Sequence, residues 1–166
     1  MPYVSGQPGD AWAAEAKAQG GKGTQRLVAV ETRPASDAVA TALRLPAGEP
    51  VVLRSRVMLL DDHPVELVDS YYPASIAGGT RLAETSKIPG GAVAHLTSLG
   101  HAPRRVVEDV TARLATPAEA EAFGLESPVA VIELARVLFS DGDQPVEASV
   151  MISPADARTL RYEMSL

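Results

Sequence analysis

Apolar and polar positions change period several times along this chain, and the changes mark its elements. Residues 27–32, Leu-Val-Ala-Val-Glu-Thr, read as a strand that Pro34 ends, and Ser36 or Asp37 is placed to cap a helix running to Arg44. Leu45-Pro46-Ala47-Gly48-Glu49-Pro50 then turns the chain. Residues 51–60 are β-branched and apolar, Asp61-Asp62-His63-Pro64 is turn chemistry, and residues 65–72 resume the strand, so a hairpin is predicted. A short helical turn after Pro73, an irregular stretch over 81–89 and a short helix over 91–100 closed by glycine follow. Residues 104–114 alternate as a strand. Thr116-Pro117-Ala118-Glu119 combines a capping threonine, a proline at the first helical position and a glutamate at the third, opening a helix that ends at Gly124. Two further strands, 129–139 and 145–152, flank an Asp141-Gly142 turn, and a helical turn is expected near Asp156.

Helices interspersed among antiparallel hairpins predict an α+β fold, an antiparallel sheet with flanking helices covering one side. The two hairpins also share a grammar. Each places an arginine in its first strand, Arg54 and Arg56 or Arg136, and a glutamate just after the proline that opens its second, Glu66 or Glu147. Internal duplication accounts for this likeness, and so does the grammar common to hairpins, since the intervening lengths differ. Residues 1–24 are dense in glycine and proline around Ala11 to Ala18, an alanine-rich helix former with the only tryptophan, Trp12, marginal as a helix without something to pack against, and they read as a flexible linker or arm before a folded unit over 25–166.

Composition narrows the chemistry. The 166 residues contain no cysteine, which removes disulfides, thiolate nucleophiles and sulfur-ligated zinc. No apolar run approaches the roughly 20 residues of a membrane span, so a soluble, cytoplasmic protein is expected. A net charge of −6 opposes broad attraction to phosphate backbones, and Arg104-Arg105 is at once followed by Glu108 and Asp109. DNA reading, if it belongs to this system, is expected on another domain. His63, His95 and His101 lack metal-ligand spacing, and the GxxxxGK[ST], GxGxxG and GxSxG patterns are absent. Neither a metal, a cofactor nor a catalytic residue is implied.

Arg54 and Arg56, two apart in a strand, project to one side, with Glu66 on the returning strand near enough to pair with one of them. Their guanidinium forks suit carboxylate or phosphate. The same spacing also describes a solvated sheet face laced with salt bridges. Arg136, Glu147 and Ser149 repeat the pattern, and Ser70 and Ser86 add hydroxyls at strand or loop ends.

Taken in order, Leu45-Pro46-Ala47-Gly48-Glu49-Pro50-Val51, Arg54-Ser55-Arg56-Val57, Pro64-Val65-Glu66, Asp69-Ser70-Tyr71-Tyr72-Pro73, Thr111-Ala112-Arg113 before Ala115 to Ala120, Arg136 and the 141–147 turn resemble the UTRA effector-binding domain of GntR-type bacterial transcription regulators, HutC-like branch. The resemblance spans about residues 25–163. It implies a chorismate-lyase-like α+β fold, a small-molecule pocket, a homodimer, and control of DNA affinity through an N-terminal winged helix-turn-helix that is not found in this chain. In relatives that sense phosphorylated amino sugars, the matching pocket positions here are Arg54, Arg56, Glu66, Ser86 and Glu147. The segment Lys87-Ile88-Pro89-Gly90-Gly91 departs from the more regular, aromatic-containing helix of many relatives, and Ser149 or Ser153 stands where some present a tyrosine. An anionic effector is expected, with an amino-sugar phosphate as one candidate beside other anionic metabolites or an antibiotic-like effector. A chorismate-lyase-like enzyme and a dimerisation domain with a vestigial pocket are the alternatives.

Overall fold

Local chemistry sets where each element starts and stops. In the computed structural model, which describes residues 11–165, helix α1 (Ala11–Ala18) leads into strand β1 (Gly23–Pro34), helix α2 (Asp37–Leu43) and the hairpin of β2 (Pro50–Leu60) and β3 (His63–Pro73). Helix α3 (Ala74–Ala77), a 3₁₀ turn (Arg81–Ala83) and α4 (Gly91–Ser98) come next. Strand β4 (Arg105–Leu114), helix α5 (Pro117–Phe123) and the hairpin of β5 (Ala130–Phe139) and β6 (Pro145–Pro154) complete the domain. The Ser36 side chain caps α2, and Thr116 and Glu119 form the capping box of α5. In the β5–β6 connection Gly142 takes φ of +70°, a conformation that disfavours a side chain.

The six strands form one sheet in the order β1-β2-β3-β6-β5-β4, each pair antiparallel. Helices cover both of its faces, where the sequence suggests cover on one. The consecutive buried run Val51-Val52-Leu53 explains why: successive strand residues point to opposite sides, so a strand apolar at every position must be covered twice. Val51 packs with Ala40 and Leu43 of α2, whereas Val52 packs with Ile76, Leu82 and Leu96 of the 74–98 segment. A third cluster joins Trp12 and Ala16 of α1 to Met58, Val68, Leu134 and Met151 on the same face as Val52. The stretch read from sequence as an arm therefore contains a docked helix. Buried apolar contact supplies what an isolated eight-residue helix lacks. Residues 1–10 of that stretch lie outside the described residues.

The two halves of the domain repeat one plan, β-α-β-β, about the pairing of Asp69 with Val150 at the sheet centre. Ser36 and Thr116 cap equivalent helices, Ala40 and Ala120 are buried at matching places, and Arg44 and Gly124 both end their helices in the left-handed conformation. Backbone bonds correspond as well: Leu45 N–H donates to Ala40 at 2.8 Å and Leu125 N–H to Ala120 at 2.9 Å. Register shifts fall between Met58 and Leu59 in one hairpin and between Leu138 and Phe139 in the other. This matching grammar is what the arginine and glutamate spacing foreshadows.

Candidate functional site

A single rung of directly paired residues crosses all six strands on the face that carries α1 and α4. It reads Val30, Arg54, Ser70, Ser149, Arg136, Glu108. Five of the six are polar, and they lie between the apolar clusters beneath the 74–98 segment and beneath α1. Burying such a row without hydrogen-bond partners would be costly, so its members are tied to one another and to loops.

Arg54, 4 % exposed, sends one guanidinium nitrogen to the carbonyls of Arg81, Leu82 and Glu84, at 3.3, 2.9 and 2.7 Å, and the other to that of Ser86 at 2.8 Å. A guanidinium thus gathers four carbonyl oxygens of a segment that has almost no regular structure, and fixes its path over the sheet. Burial holds this group below the usual arginine value. Ser86 meets Arg54 through its backbone, and its hydroxyl lies at the exposed edge of the same loop.

Arg56 is differently placed. One terminal nitrogen donates to Ser70 Oγ at 3.0 Å, Ser70 and Ser149 meet Oγ to Oγ at 2.8 Å, and Ser149 donates to Glu147 Oε1 at 2.7 Å. Because the one hydroxyl proton of Ser149 is committed to Glu147, Ser70 is the donor to Ser149, and the chain runs in one direction from cation to anion. Burial of the Tyr72 hydroxyl, with the Glu147 carboxylate nearby, pushes the phenol well above its usual value. Arg56 Nε is buried and meets no acceptor.

Beside these arginines lies a cavity of about 140 Å³ between β1, β2 and the loop into α4. Gln25 and Leu27 form one wall, Arg54 and Arg56 the floor, and residues 85–88 with Gly91 and Ala92 the other wall. Arginine and lysine supply its charged lining, with no carboxylate among the described lining residues. The volume suits a compact group of a few non-hydrogen atoms, given about 30 Å³ for a water molecule in bulk.

The structure thus brings Arg54, Arg56, Ser70, Ser149 and Glu147 into one connected layer and sets two expected members apart. Glu66, 5 % exposed, stands opposite Met58 and accepts from Arg158 at 2.5 Å instead of pairing with Arg54 or Arg56. Burial raises its pKa, with Arg158 opposing. Arg136 pairs with Glu108, Nε to Oε1 at 2.7 Å, instead of with Glu147. Residues Leu27, Glu108 and Arg158 escape a reading from spacing. Glu108 sits in an alternating strand like any surface acid, and Arg158 follows the last strand with no motif around it.

Comparison with known proteins converges on one class. The UTRA domain profile matches residues 18–159, and the chain belongs to that family. It is thus a regulatory, ligand-binding domain of the kind found in GntR-type, HutC-like transcription regulators. The chain is 31 % identical over 135 residues to an uncharacterised HTH-type transcriptional regulator of Streptomyces coelicolor, covering 80 % of this chain and 50 % of that protein. An uncharacterised HTH-type transcriptional regulator of Rhizobium meliloti is 33 % identical over 131 residues, covering 78 % and 53 %. The crystal structure of the effector domain of PhnF from Mycobacterium smegmatis superposes with a TM-score of 0.81 at 28 % identity, covering 93 % of this chain and 94 % of that one. The chain spans about half the length of the curated relatives it matches. Among the described residues no helix is long and apolar enough to cross a membrane.

Proposed function

We propose that this domain senses a small anionic metabolite in the cavity between β1, β2 and the loop into α4, works as a homodimer, and changes the DNA affinity of a winged helix-turn-helix domain when the cavity fills. Arg56, which lines that cavity and whose buried Nε has no acceptor, carries this reading. A charged donor removed from water without an acceptor is unfavourable, and a ligand oxygen supplies the missing bond. This favours a working site over a vestigial one. Arg54, by holding the 81–86 carbonyls, acts as a positioning residue for the wall that bears Ser86. The chain from Arg56 through Ser70 and Ser149 to Glu147 links the cavity to the other half of the sheet. Coupling to DNA follows as linkage: the effector shifts the regulator only by binding one dimer geometry more tightly than another.

The test is thermal unfolding and calorimetry of the wild type and of Arg56→Ala against sugar phosphates, carboxylates, nucleotides and uncharged antibiotics. A ligand confined to the native state adds about 2.7 kcal/mol of apparent stability at 100 times its Kd. A response in the wild type that Arg56→Ala loses while staying folded supports the proposal. A ligand that binds equally to both proteins removes Arg56 from the site.

A further inference from the structure

The internal repeat supplies a filled copy of the proposed site for comparison. Arg56 and Arg136 hold the same place in their halves, each two residues ahead of the register shift in its hairpin. Across the outer strand pair, Arg56 faces Leu27 of β1, and Arg136 faces Glu108 of β4. Glu108 meets Arg136 along the Nε edge, with Oε1 at 2.7 Å from Nε and 2.6 Å from a terminal nitrogen, both side chains being less than a tenth exposed. Its second oxygen accepts from Tyr162 at 3.2 Å, so the carboxylate is fully engaged. In the first half the corresponding Nε is buried without an acceptor, a terminal nitrogen of the same guanidinium donates to Ser70 at 3.0 Å, and the corresponding strand residue is a leucine that lines the cavity.

The outer strands differ in one further respect. Pairing of β4 with β5 runs without interruption from Arg105 to Leu114, whereas β1 slips its register between Leu27 and Ala29, putting the extra residue Val28 at 60 % exposure. A bulge of this kind bends an edge strand and re-aims the side chains beside it, and such bulges concentrate beside binding sites. Leucine in place of a carboxylate, together with the bulge, separates the open copy from the closed one.

We infer that Leu27 is a specificity-determining residue: by leaving Arg56 without the internal carboxylate that Arg136 has in Glu108, it reserves the Arg56 Nε for an oxyanion oxygen of the ligand. The inference rests on the proposed site and names the atom at which the ligand's anionic group is received. A carboxylate and a phosphate share the required chemistry, an oxygen accepting from Nε and carrying negative charge, and the test separates them.

The experiment titrates inorganic phosphate and, separately, acetate into the domain, following the side-chain Nε–H resonances of Arg56 and Arg136 by NMR. In the wild type the Arg56 resonance is expected to move with one or both anions while that of Arg136 stays fixed. Leu27→Glu is expected to move the Arg56 resonance toward that of Arg136 with no anion added, and to weaken anion binding at least about tenfold, the equivalent of about 1.4 kcal/mol. Leu27→Gln, of similar shape and no charge, is expected to bind the anion still. A folded Leu27→Glu protein that keeps the wild-type Kd overturns the inference. If the wild type answers neither anion while Leu27→Glu still shifts the Arg56 resonance, the Leu27–Glu108 correspondence is supported and the site as an anion receptor is overturned. Should Leu27→Glu fail to fold, the reciprocal Glu108→Leu decides: it is expected to make the Arg136 resonance respond to the anion, and a folded variant without that response overturns the inference.

Discussion

Ser70 and Ser149 meet Oγ to Oγ at 2.8 Å in the middle of the sheet, one from each half of the repeat, 0 % and 4 % exposed. They join a terminal guanidinium nitrogen of Arg56 to the buried carboxylate of Glu147. Ser149→Ala removes this bridge, leaving a donor on one side and a charged acceptor on the other with less to bind. Each single alanine variant is expected to lose about 1–3 kcal/mol in urea unfolding, the cost of an unsatisfied buried polar group. The double variant is expected to lose less than the sum, because the second change removes a group that the first has already orphaned. Additive losses would mean that the two hydroxyls do not act as one chain.

Arg54 and Arg56 are two residues apart and separate in role. Arg54→Ala frees four carbonyls of the 81–86 segment and is expected to destabilise the domain by about 3 kcal/mol or more, with faster hydrogen exchange over residues 81–92. Arg56→Ala breaks one bond to Ser70 and removes an unpartnered nitrogen, so its expected stability loss is smaller, about 1 kcal/mol, while anion binding is lost. Urea unfolding of the two variants side by side checks the ranking. A larger loss for Arg56→Ala would reverse it.

This division shows where reading the residues alone stops. Strand parity puts Arg54 and Arg56 on one face, and they are on one face; the capping box at Thr116 and the turn at Asp141-Gly142 are local, and local chemistry decides them. The antiparallel hairpins and their repeat were legible for the same reason. What parity cannot supply is the partner. Glu66 is drawn to Arg158 by the path of the chain after β6, and Arg54 to backbone carbonyls that any sequence carries, so neither contact has a spacing to recognise. The bulge at Val28 is hidden too, since Leu27, Val28, Ala29 and Val30 are all acceptable strand residues. Trp12 lies in an alanine-rich helix former between glycine- and proline-dense flanks, and its burial depends on an apolar sheet face that only the fold assembles.

Two glutamates should give pH dependences of opposite sign. Burial raises the pKa of Glu66 in the folded protein, so stability falls as pH rises from the ordinary carboxylate value through the raised one. The Arg113 guanidinium, bonded to Glu119 through both carboxylate oxygens at 2.8 Å, holds that pKa down, so the stability contributed by Glu119 is present above the ordinary value and lost as pH falls through the lowered one. Relative to the wild type, Glu66→Gln is expected to flatten the decline on the alkaline side of the ordinary value. Glu119→Gln is expected to flatten the decline on the acid side while lowering stability at neutral pH. Chemical denaturation across pH 3 to 8, a range set by the ordinary carboxylate values of about 4, checks both slopes. Slopes of the same sign in the two variants would show that one of the two environments is misassigned.

The docking of α1 rests on a close approach at Gly23. A Cβ there would stand 2.7 Å from the Ala16 Cβ and 2.9 Å from Trp12 Nε1, which itself donates to the carbonyls of Thr24 and Leu59 at 3.0 and 3.1 Å. Both clashing groups belong to α1, so Gly23→Ala must push the helix away from the sheet. Trp12 is the only tryptophan and is 8 % exposed, which makes its fluorescence a direct reporter of that contact. The wild type is expected to emit at short wavelength, and Gly23→Ala to shift the emission to the red with a stability loss of about 1–3 kcal/mol, the usual cost of overpacking. Trp12→Phe deletes the two hydrogen bonds together with part of the buried ring, so its expected loss of about 1–3 kcal/mol reports the polar and packing parts of the anchor together. Because Gln25 and Leu27 of the cavity wall follow Gly23 along β1, the Gly23→Ala protein should also bind phosphate more weakly than the wild type. An unshifted emission maximum in that variant would show that α1 does not rest on the sheet at Gly23.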